Sequence, residues 1–127
     1  VSLVMDAVGE GRPADALRIL GELFEEGEEA LAIIGALGSQ IRRLAMAARL
    51  HKGGLPLDDA FDRAGVAKWP QARDSAVRQM KHLGWNRLDQ LFDWLVELDT
   101  GLKGGNPLPP RLQVERFVIR LARPRVA

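Results

Sequence analysis

The residues able to do chemistry fall into a few groups, and the carboxylates are the most crowded. Glu22, Glu25, Glu26, Glu28 and Glu29 gather in one short stretch, and Asp58, Asp59 and Asp62 in another. General acid–base catalysis needs two carboxylates held in different environments. These sit where helices end and connect, which is where solvated acids are ordinary. His51 and His82 are far apart and lack a partner at HExxH or CxxC spacing. The chain has no Cys, so thiolate ligands and disulfides are excluded. Ser2, Ser39 and Ser75 stand outside any GxSxG elbow. The glycines at Gly9–Pro13 and Lys103–Gly105 lack the GxxxxGK[ST] spacing and the preceding strand of a phosphate loop. These residues imply no catalytic residue, no cofactor site and no metal site.

The cations and aromatics are more pointed. Arg116, Arg120 and Arg123 recur at i, i+4 and i+7, and Arg42 and Arg49 at i and i+7, so each set forms a stripe on a helix. Such stripes hold phosphates, and they equally suit solvated faces near helix C-termini. Trp69, Trp85 and Trp94 serve as base-stacking platforms in some proteins and as core or interface anchors in more.

The elements that position these groups read as helices throughout. Ser2 is a candidate cap for a first helix ending near Gly9, and Pro13 opens a second that closes at Gly27. A long third helix is expected over Glu28–Lys52, with Ile34, Leu37, Ile41, Leu44 and Ala48 as its seam and acids at its start. Leu57–Ala64 and Pro70–Leu83 follow. Asn86 and Asp89 suit the start of a helix running to Gly104 and Gly105, with Leu88, Leu91, Leu95, Leu98 and Leu102 at 3-4-3-4 spacing. Pro109–Pro110 opens the last helix, faced by Val114, Phe117, Val118 and Leu121 and closed by Pro124. No segment alternates like a strand. The expectation is an all-α bundle of about six to seven helices in a single domain over residues 1–127.

The bulk properties fit that reading. Hydrophobic residues are 46% and charged residues 28%, the balance of a globular chain rather than a disordered one. A net charge of +1 does not require a polyanionic partner. No apolar run approaches the roughly 20 residues of a membrane span, and the N-terminus lacks a signal-peptide pattern. The absence of Cys fits a reducing cytoplasm. A start without Met, close to a helical pattern, is expected of a piece of a longer protein.

Several short patterns share an order. Gly27, Ile33–Ile34, Leu37, Gln40, Ile41, Arg42 and Leu44 lie in one run. A short helix with Gly65–Val66 and an aromatic–Pro step follows, then LVELDTGLKGG, then a last helix with Glu115 among apolar residues. Together they resemble the C-terminal domain of bacterial DNA polymerase III delta subunits, components of the clamp loader. The resemblance implies a helical collar domain that packs beside the gamma/tau and delta-prime collars and holds the loader together while its ATPase domains move. It implies no catalytic role and a cytoplasmic location, and it leaves open whether any DNA contact is direct or indirect. In that family the sliding clamp is bound by N-terminal domains that this sequence does not include.

A collar helix needs two buried faces, one for its own core and one for neighbours. The candidate subunit interface is Phe92, Trp94, Val96, Lys103, Phe117 and Arg120, with Phe92, Trp94 and Val96 as a second apolar side of their helix. The alternative is a small helical nucleic-acid-binding module using Arg42, Arg49, Arg116, Arg120 and Arg123. A helical enzyme domain built on the carboxylates is a third reading with little to carry it.

Overall fold

Prolines and glycines punctuate the chain, and the helices lie between them. The computed structural model describes residues 1–85 and 87–123, the Asp89 side chain excepted. The expected Asn86 and Asp89 start signals and the tail from Pro124 lie outside the described residues. The helices are α1 (Ser2–Gly9), α2 (Pro13–Glu25), α3 (Ala30–Lys52), α4 (Leu57–Ala64), α5 (Pro70–Leu83), α6 (Leu88–Thr100) and α7 (Pro110–Ala122). Among the described residues there is no strand. Pro13, Pro70 and Pro110 are the first residues of α2, α5 and α7, where a missing N–H is harmless. Gly65 ends α4 in the left-handed conformation at φ +84.

Three boundaries differ from the expectation. Ser2 is already helical and Val1 takes the cap position, so Ser2 does not cap α1. α3 begins at Ala30 because Gly27 is left-handed at φ +92 and Glu29 is extended. Glu28 and Glu29 therefore stand just outside the first turn, which holds no acid. α6 ends at Thr100, and Gly101–Gly105 forms a wider π-type turn in which the Asn106 N–H donates to the Gly101 carbonyl. Gly104, at φ +114, breaks the helical path there.

Apolar spacing decides what each helix buries. On α3, Ile34, Leu37, Ile41, Leu44 and Ala48 are buried together with Ile33, Ala45 and Ala47. On α6, Leu88, Leu91, Leu95 and Leu98 are buried and Leu102 is half-buried. These join one cluster with Val4, Met5, Leu20, Phe61, Met80 and Val118. α3 packs on α4 and α6, α1 on α2 and α5, and α2 on α7. The length and apolar composition of α3 would suffice to cross a membrane, which corrects the expectation that no segment comes close. Its apolar stripe is instead part of this bundle's core, and Arg42, Arg43 and Arg49 sit on its exposed side.

Polar side chains pin the helices to one another. The Arg73 side chain, only 13% exposed, donates to the carbonyls of Ala67, Asp58 and Val66 and to Asp62 Oδ1 at 2.6 Å. It also sits 5.3 Å from the centre of the Phe61 ring, so one guanidinium fastens α4, the connection after it and α5. The Asp62 carboxyl is held below its ordinary pKa, first by the Arg73 hydrogen bond. Across the bundle, Gln40 Nε2 donates to Gln79 Oε1 at 3.1 Å, and Gln79 Nε2 donates to Asp6 Oδ1 at 3.3 Å. A Cβ on Gly9 would fall 2.9 Å from Gln79 Cγ, so α1 approaches α5 closely only because residue 9 is glycine.

Candidate interaction site

α6 and α7 diverge enough to leave a groove, with a cavity volume of about 410 Å³. Trp94, Glu97 and Leu98 reach it from α6, at the i, i+3 and i+4 positions that share a helix face. Arg116 and Arg120 reach it from α7 and Arg123 from the extended residue just past its end, so the sequence stripe becomes one wall. Buried Leu98 and Phe117 form the apolar floor beneath it.

The groove holds an arginine on an aromatic ring. Arg120 Cζ lies 3.5 Å from the centre of the Trp94 ring, and Arg87 Cζ lies 5.6 Å from the same centre. Contact through the ring's electron-rich face leaves the in-plane N–H groups of a guanidinium free to donate. Among the described residues, no carboxylate lies within ion-pair distance of Arg116, Arg120 or Arg123. The arrangement concentrates positive charge and donors beside an apolar floor.

One end of the groove is fixed by a buried carboxamide. Gln113 Nε2 donates to the Leu108 carbonyl at 2.7 Å and to the Asn106 carbonyl at 3.4 Å. Asn106 Oδ1 accepts from the Leu108 N–H at 3.0 Å and closes the connection between α6 and α7. Gln113 Oε1 lies 2.6 Å from where a Cβ of residue 101 would be. Sequence reasoning missed Gln113, Asn106 and Gly101. Gly101 alone left a signal, a glycine directly continuing a leucine seam.

The other expected residues divide. Val96 is 65% exposed and Phe92 half-buried against the core. Those two lie one turn apart, whereas Trp94 is about 200° around the helix from Phe92. The expected shared side of Phe92, Trp94 and Val96 is thus two opposite flanks. Phe117 is only 6% exposed, packs in this chain's own core and reaches the groove only as part of its floor. Lys103 is exposed in the Gly101–Gly105 turn and pairs with Asp99 at 2.9 Å. Arg42 and Arg49 are exposed on α3 and do not line the groove, so the two arginine stripes reach different places.

Several of the remaining candidates have structural partners, and among the described residues the Trp69 side chain has no such partner. Trp85 packs on His51, whose Nδ1 lies 2.9 Å from the Leu55 carbonyl. His82 Nε2 lies 2.9 Å from the Leu121 carbonyl and ties the ends of α5 and α7. Trp69 is 69% exposed beside a second, more open depression between α1, α3 and α5. Asp58 and Asp62 face the Arg73 guanidinium, and Glu22 pairs with Arg18. Among the described residues, no three His, Cys, Asp or Glu side chains are grouped to hold a metal ion.

Residues 2–121 match a family model described as the DNA polymerase III delta subunit, C-terminal domain. No curated protein and no solved structure matches the chain.

Proposed function

The chain belongs to the family formed by the C-terminal domains of DNA polymerase III delta subunits, and from that membership we propose that it is a non-catalytic oligomerisation domain of a clamp loader. Its task is to pack beside the gamma/tau and delta-prime collars in the complex that loads the sliding clamp during DNA replication, in the cytoplasm. Contact with the clamp itself falls to other domains of the full-length protein. The observation that carries this reading is the family match over nearly the whole chain.

The surface supports it. A ring of unlike neighbours requires two different contact surfaces on each member. α6 carries two opposite flanks that differ in chemistry, Trp94 under Arg120 on one side and exposed Val96 on the other. Trp and Arg are the residue types over-represented at the energetic centres of interfaces.

The test is size-exclusion chromatography with light scattering, mixing this domain with the gamma/tau and delta-prime collar domains at micromolar concentration. The expected result is a stable hetero-complex. A mixture that elutes as separate monomers rejects the scaffold role.

A further inference from the structure

We propose that the α6–α7 groove is the docking site for an acidic helical segment of a neighbouring protein chain. Carboxylates of that segment meet Arg116, Arg120 and Arg123, and one apolar side chain between them lies on the Leu98 and Phe117 floor. The inference rests on the scaffold reading and gives one of its surfaces a partner chemistry.

Spacing and charge define the occupant. Arg116 and Arg120 are separated by about 6 Å along α7, at about 1.5 Å per residue, and Arg123 follows just past the helix end. Two carboxylates one turn apart on a facing helix have the same separation. A guanidinium meets a carboxylate with two parallel hydrogen bonds, and Arg120 is presented for this by the Trp94 ring that supports it. None of the three guanidiniums is matched by a carboxylate of the described chain, so the positive wall is complementary to an anion supplied from outside.

Protein is favoured over nucleic acid by what surrounds the arginines. Nucleic-acid surfaces extend positive charge along a track, and their affinity comes from the number of phosphates neutralised. Here the wall is confined to the end of one helix and the residue after it, and the exposed Arg42 and Arg49 do not join it. An apolar floor beside Trp and Arg is the composition of a protein–protein contact.

The experiment measures the affinity of the hetero-complex with the gamma/tau and delta-prime collars for the wild type, for Arg116→Glu/Arg120→Glu and for the charge-matched control Arg63→Glu/Arg78→Glu. Circular dichroism verifies that each variant is folded. The groove variant is expected to bind at least about tenfold more weakly and the control to bind as the wild type does. Arg120→Lys, which keeps the charge and loses the planar fork, is expected to fall between. Equal affinity of groove variant and wild type overturns the docking site and leaves the scaffold role standing. If the wild type forms no complex, the scaffold role falls and the groove is tested alone. The probe is then a synthetic helical peptide with two glutamates one turn apart and a leucine between them. A shift of the Trp94 indole signal that is lost in the groove variant supports the site, and no shift at millimolar peptide overturns it. A labelled single-stranded oligonucleotide that binds the wild type more tightly than the peptide, and is released steeply by salt, assigns the groove to nucleic acid and overturns the proposal.

Discussion

The Arg120 guanidinium rests on the Trp94 ring, 3.5 Å from its centre, and so joins α7 to α6 across an open groove. The ring is half-buried against the core, with one face under a cation. Truncating it removes the support of the arginine and part of the groove wall while leaving the leucine seam of α6 untouched.

Trp94→Ala is therefore expected to weaken hetero-complex formation by about 2 kcal/mol or more, as for an interface anchor. Its cost to the stability of the isolated domain is expected to be the smaller effect. Parallel calorimetric binding and urea unfolding separate the two. A domain that unfolds on this substitution places Trp94 in the core.

Leu95→Ala reverses the balance. Leu95 is 7% exposed in the central seam of α6, and its loss is expected to cost about 2–5 kcal/mol of stability. Urea denaturation followed at 222 nm in far-ultraviolet circular dichroism measures it. A cost under about 1 kcal/mol would mean that the seam is assigned to the wrong face.

Gly101→Ala tests the groove's fixed end. Residue 101 has ordinary helical angles, φ −62 and ψ −42, so alanine suits the backbone. Its methyl would instead meet Gln113 Oε1 at 2.6 Å. The expected cost is about 1–3 kcal/mol from overpacking. Adding Gln113→Ala is expected to cancel part of it, a coupling that a double-mutant cycle reads directly. Additive effects would show that the two residues do not touch.

Arg73 makes stability depend on pH. The Asp62 pKa is lowered in the folded chain, so its contribution is fully present above the ordinary Asp value of about 3.9 and is lost as pH falls through the lowered folded value. Thermal unfolding across that acidic range is expected to show the loss in the wild type and less of it in Asp62→Asn. Arg73→Ala is expected to cost about 1–3 kcal/mol at neutral pH, because the part-buried Val66 carbonyl loses its donor. A wild type and an Asp62→Asn variant with the same acid profile would remove the linkage.

The helical architecture was legible because its signals are local. Pro13, Pro70 and Pro110 mark starts, Gly65 marks a stop, and the seams of α3 and α6 repeat at helical spacing. The groove was legible in half. The arginine stripe follows from counting, with Arg123 falling just past the helix end, but its meeting with Trp94 depends on how α7 packs beside α6, which no local pattern encodes. Phe92 and Val96 were grouped with Trp94 as neighbours in sequence, although helical geometry puts them on the opposite flank. Gln113 drew no reading from the sequence, because its burial follows from two carbonyls in a connection five to seven residues away.

The carboxamide relay through Gln79 has a direction. Arg43 donates to Gln40, Gln40 to Gln79, and Gln79 to Asp6, so the series runs from a cation to an anion and links α3, α5 and α1. Reversing either amide would set donor against donor or acceptor against acceptor. Sliding α1 by one turn would break the bond to Asp6 and push a side chain into the space kept open by Gly9. An eight-residue helix is too short to persist alone in water. The relay works as a key cut for one lock: it admits α1 at a single register, and α1 takes its shape from being admitted.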